Sequence, residues 1–83
     1  MDKHLKLDSG AFYSIQLQGI LSQDWADQFG NLRVHTYHAG DEREPPVTTV
    51  VGEMVDQAAL TGLINLAYSL GMPLLSVTYL GNS

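Results

Sequence analysis

The chain has 83 residues, no cysteine and a formal net charge of −5. That length supports one domain with a single core, and the lack of cysteine excludes disulfides and thiolate metal sites. Only Lys3, Lys6, Arg33 and Arg43 are basic and they do not cluster, which argues against nucleic acid or an anionic membrane as a partner, since both require grouped cations.

Residues 1–10 read as a flexible polar leader, and 11–83 as a single α+β domain. The leader has no apolar run of signal-peptide length. No stretch approaches the roughly 20 apolar residues of a membrane span. A cytoplasmic protein is expected.

Phe12 to Gln18 is a strand. Tyr13, Ile15 and Leu17 alternate with Ser14, Gln16 and Gln18, so one face is apolar and the other polar without charge. Ser22 is suited to cap a short helix from Gln23 to Phe29, and Gly30-Asn31 to stop it. Leu21, Trp25 and Phe29 recur at i, i+4 and i+8, the spacing of an apolar stripe. Trp25 is expected to anchor this helix by burial, and Trp25→Ala to cost about 3–5 kcal/mol if the indole is fully enclosed.

Leu32 to Tyr37 is the second strand, with Leu32, Val34 and Thr36 on one side and Arg33, His35 and Tyr37 on the other. A polar, turn-rich loop, His38 to Pro46, follows. Val47 to Gly52 is the third strand, rich in β-branched residues. Two inward registers suit it, Thr48, Val50 and Met54 or Val47, Thr49 and Val51. The first is preferred, because Met54 carries the buried side into the next helix.

That helix is the strongest signal in the chain. Asp56 is an N-cap and Gly71 a left-handed C′ residue, with Pro73 barring continuation. Ala59, Leu60, Leu63, Ile64, Leu66, Ala67 and Leu70 fall on one arc. Gln57, Thr61, Gly62, Asn65 and Ser69 fall opposite. Gly62 costs about 1 kcal/mol relative to Ala inside a helix, and its missing side chain leaves room for close approach by another helix or subunit. Leu74 to Leu80 is the fourth strand.

The order β-α-β-β-α-β is that of a ferredoxin-like split βαβ sandwich. It implies an antiparallel sheet in the order 4-1-3-2 with both helices on one face. A related open sheet, whose first helix is little more than a turn, is the alternative. The uncovered face carries Ser14, Gln16 and Gln18 with Arg33, His35 and Tyr37, and then Leu74, Ser76, Thr78 and Leu80.

From Gln57 to Ser83 there is no charged side chain. An outer helix face normally carries Lys and Glu, whereas depletion of charge beside small polar and aromatic residues suits an interface core. Candidate interface residues are therefore Gly62, Asn65, Tyr68, Leu74, Ser76, Thr78 and Leu80. Arg33, His35 and Tyr37 are candidate ligand contacts on the open face.

Chemistry is weakly encoded. His35 and His38 stand at i and i+3, which on a strand point to opposite faces and do not share a metal. Asp24 and Asp27 fall on the water side of their helix, and the loop Asp41, Glu42, Glu44 reads as solvated. There is no nucleophile elbow, dinucleotide-binding glycine motif or Walker sequence. No catalytic residue, cofactor or metal is expected.

Val55-Asp56-Gln57-Ala58-Ala59-Leu60, Gly62-Leu63-Ile64 and Leu70-Gly71-Met72-Pro73-Leu74-Leu75-Ser76-Val77 together resemble a group of short bacterial proteins of unassigned function. Their pattern reads D-Q-A-A-L-H-G-L-L and then L-G-L-P-L-L-S-V. Tyr13 to Gly19, Leu21, Trp25, Phe29 and Leu32 are similar to the group's first half. This chain has Thr61 where the group has His, and Tyr68-Ser69 where it has Arg-Asp. The resemblance implies a bacterial cytoplasmic origin and one compact domain, and brings no activity or cofactor.

The first functional expectation is a non-enzymatic interaction module acting as a homo-oligomer, or binding another protein. The second is a regulatory domain binding a small ligand, and the third a small enzyme using the open sheet face.

Overall fold

A computed structural model describes residues 10–38 and 40–82. The expected leader thus lies, apart from Gly10, outside the described residues. The elements are β1 (Ala11–Gln18), α1 (Gln23–Ala26), β2 (Gly30–Tyr37), β3 (Val47–Met54), α2 (Gln57–Ser69) and β4 (Leu74–Asn82). They form one antiparallel sheet in the order β2-β3-β1-β4. This is the α+β, ferredoxin-like arrangement that the element order implies.

Register follows from the alternation of apolar side chains. Ile15 pairs with Val50 and Leu17 with Thr48 across β1 and β3, and Val34 pairs with Val50 across β2 and β3. Thr48, Val50 and Met54 are fully buried, so β3 takes the first of its two readable registers. The buried core joins Ile15 and Leu17 of β1 and Val50 and Met54 of β3 to Leu60, Leu63 and Ala67 of α2.

The α2 helix is closed at both ends by its own sequence. The Asp56 carboxylate accepts from Ala59 N–H at 2.8 Å. At the other end Gly71 has φ +72°, a conformation that a Cβ disfavours. That turn lets Gly71 N–H donate to Tyr68 C=O and Met72 N–H to Ala67 C=O, at 3.0 and 2.9 Å. The pair of bonds is a Schellman motif, and it drops Met72 into the core beside Ala67.

The first helix departs from expectation. It is a single turn, Gln23–Ala26, rather than a helix reaching Phe29. Ser22 Oγ accepts from Trp25 N–H at 3.4 Å, as an N-cap should. Beyond Ala26 the bonds tighten to i→i+3, Trp25 C=O to Gln28 N–H and Ala26 C=O to Phe29 N–H, which changes the angular spacing from 3.6 to about 3 residues per turn. Leu21 precedes the extended N-cap Ser22 and stands off the helix; it and Ala26 are buried, while Trp25 turns outward and is 43% exposed. The sequence spacing that pointed to a buried indole does not survive this tightening.

Candidate functional site

Among the described residues five of the twelve large exposed apolar side chains lie on β4, one edge of the sheet. None of the nine residues of β4 is buried. Leu74, Leu75, Val77, Tyr79 and Leu80 are 41–54% exposed. A helix about 10 Å wide covers roughly two strands spaced about 4.8 Å apart. With α1 reduced to one turn, α2 is the main cover, and the buried side chains of the sheet fall chiefly on the central strands β1 and β3. Residues 77 and 79, opposite Ile15 and Tyr13 of β1, are left half-open even on the helix side. Tyr79 leans edge-on against Tyr13, ring centroids 5.6 Å apart, and its hydroxyl donates to Asn82 Oδ1 at 2.6 Å.

The two edges of the sheet are unlike. On β2 the Gln23 side chain lies along the backbone as a strand would. Its Nε2 donates to Leu32 C=O at 2.7 Å and its Oε1 accepts from Val34 N–H at 3.1 Å. Asp27 Oδ1 holds the same amide at 2.7 Å, which places Asp27 in a supporting contact. Along Ser76–Tyr79, β4 has no such partner on its outer edge among the described residues.

The outer face of α2 continues the neutral surface. Asn65 is exposed and Tyr68 is 85% exposed. Gly62 is not free for a neighbour in the way its spacing suggests. A Cβ there would stand 2.9 Å from Phe29 Cε1, so the close approach is made by Phe29 of the same chain.

Arg33, His35 and Tyr37 share the open face of β2. The rings of His35 and Tyr37 stack with centroids 5.8 Å apart. Gln16 links this group to β4: its Nε2 donates to Tyr37 Oη at 3.3 Å, and its Oε1 accepts from Ser76 Oγ at 3.1 Å. Arg33 and His35 are exposed, and none of the three side chains lines the cleft at the end of the sheet. Among the described residues no group of three His, Asp or Glu side chains is placed to hold a metal.

An open cleft of about 600 Å³ lies at the end of the sheet, lined by Gln18, Ile20, Trp25, Pro45, Leu70 and Pro73 among others. None of its lining side chains is charged. Sequence reasoning missed it because it joins three separate connections, and alternation along a strand carries no information about loops. The acidic loop is self-contained. Asp41 accepts from Arg43 N–H at 2.8 Å and from its guanidinium at 3.0 Å, and the guanidinium above all holds that carboxyl below its ordinary pKa.

No helix among the described residues is long and apolar enough to cross a membrane. No curated protein and no solved structure matches the chain. A family model does match, over residues 12–78, and its description is Domain of unknown function (DUF8691). Since that match takes in β1 to α2 and most of β4, the chain belongs to this family of unassigned function.

Proposed function

We propose that this chain is a non-enzymatic protein-interaction module of the bacterial cytoplasm that self-associates through its charge-free half. The observation that carries the reading is the half-exposure of five large apolar side chains on β4, in a segment with no charge from Gln57 to Ser83. Large apolar side chains left half-open along an unpaired edge strand mark contact sites. Charge depletion with aromatic residues is the composition of an interface core. A domain of this size also gains stability from association. Light scattering over a concentration series is the test. A dimer or larger assembly is expected, and a monomer at every concentration overturns the reading.

The cleft beside Trp25 favours a second reading, a domain that binds a small uncharged ligand. Trp25 is the single tryptophan, so its fluorescence reports occupancy directly. Saturable quenching or a blue shift with a neutral apolar compound supports this reading; an unchanged spectrum across a panel of such compounds counts against it.

A further inference from the structure

We infer that the partner of β4 is β4 of a second copy, paired antiparallel about a two-fold axis at Val77, so that two sheets join into one of eight strands. This rests on the self-association proposed above and adds its geometry. Three observations carry it.

The first is the difference between the edges. Free strand edges invite pairing and are commonly blunted by charge, proline or a covering group. On β2 the edge bears Arg33 and is occupied by the Gln23 amide. From Leu74 to Asn82 there is neither charge nor proline, and the outer backbone of Ser76–Tyr79 is unpaired among the described residues.

The second is the residue pattern. An isologous antiparallel pair about Val77 sets each residue against its mirror position. Leu74 then faces Leu80, Leu75 faces Tyr79, Ser76 faces Thr78 and Val77 faces itself. Apolar meets apolar and hydroxyl meets hydroxyl throughout, the pairings that stabilise adjacent strands. Moving the axis to Thr78 shifts the pairing by two residues and places Ser76 against Leu80. The ladder with β1 is irregular between Gln16 and Leu17 and between Phe12 and Tyr13. Those irregularities flank the regular stretch Ser76–Tyr79, which places Val77 within the regular part of the strand.

The third is charge. The chain is strongly acidic, yet no ionised side chain lies beyond Asp56. Two copies meeting along β4 place no like charges of this segment in contact, which side-by-side docking through the acidic residues of the other half would not achieve.

The chain's lack of cysteine makes the test direct. Single-cysteine variants of the full chain, Val77→Cys, Ser76→Cys, Thr78→Cys and, on the outer face of α2, Thr61→Cys, are oxidised with copper phenanthroline at concentrations where the parent is associated. Val77→Cys is expected to form disulfide-linked dimers faster than the other three alone. A mixture of Ser76→Cys and Thr78→Cys chains is expected to cross-link faster than either by itself. That mixed pair also covers the case in which Val77→Cys fails to fold. An associated protein that cross-links no faster at these positions than at Thr61→Cys overturns the β4 pairing while leaving self-association standing. A monomer at every concentration overturns both.

Discussion

Thr48 is the buried polar residue on which the loop geometry turns. It is fully enclosed, and its Oγ1 donates to Gly19 C=O at 2.6 Å. Its one proton is thereby committed, so Thr36 Oγ1, 3.1 Å away, is the donor in the contact between the two threonines. Leu21 N–H donates to the same oxygen at 3.4 Å. One hydroxyl thus fixes the segment between β1 and α1, which forms one wall of the cleft. Thr48→Val keeps the shape and strands a carbonyl and an amide. It is expected to lose about 1–3 kcal/mol, read as a lower urea midpoint with an unchanged slope. Thr49, half-buried and one position away on the other face, supplies the control: Thr49→Val should change the midpoint little. At this scale the sequence was informative about position, since the register that turns Thr48 inward is the one in which Met54 leads into α2. It was silent about the three partners, which come from other elements.

At the scale of elements, β1, β2, β3 and α2 are legible because each carries its own periodicity and its own stop. Asp56 and Gly71 delimit α2 without help from the rest of the molecule. The α1 turn is not legible in the same way. Its stripe of Leu21, Trp25 and Phe29 assumes 3.6 residues per turn over two turns, and too few residues are present for that geometry to hold against the tightening after Ala26. Trp25→Ala is accordingly expected to cost clearly less than the 3–5 kcal/mol of a buried tryptophan, about 1–2 kcal/mol for the half that is covered, with acrylamide quenching of the native indole as the parallel check on its exposure. Phe29 carries more of the contact to α2. Gly62→Ala, which in an unobstructed helix gains about 1 kcal/mol, is expected to show no gain, because the new methyl meets the Phe29 ring. The gain should reappear in Gly62→Ala combined with Phe29→Leu, measured against Phe29→Leu alone, and that non-additivity is the signature of direct contact. The candidate interface illustrates the same limit. Alternation picks out Leu74, Ser76, Thr78 and Leu80 as uncovered. Val77 and Tyr79, opposite Ile15 and Tyr13 of β1, are half-open as well, because one helix is too narrow to shelter an edge strand, a property of layer widths rather than of the strand's own residues.

For the whole molecule, the sign of the salt response distinguishes a neutral contact from an ionic one. The charge of −5 at neutral pH repels a second copy over distances set by screening, about 10 Å at 0.1 M salt and about 3 Å at 1 M. If association runs through the charge-free half, attraction there is apolar and backbone-mediated, and salt acts only by weakening the repulsion between the acidic halves. The dissociation constant, followed by sedimentation equilibrium, should then fall or hold steady as salt rises from 0.05 to about 0.5 M. The melting temperature should rise with protein concentration under the same conditions, because association draws the folded state forward by mass action. Lowering the pH toward the sequence pI of about 4.7 should act in the same direction as salt, since it removes the same repulsion. A contact built from Arg33 or Arg43 against the acidic loop of a neighbour would behave in the opposite way, dissociating as salt screens it. The direction of the shift therefore says which half of the chain is in contact.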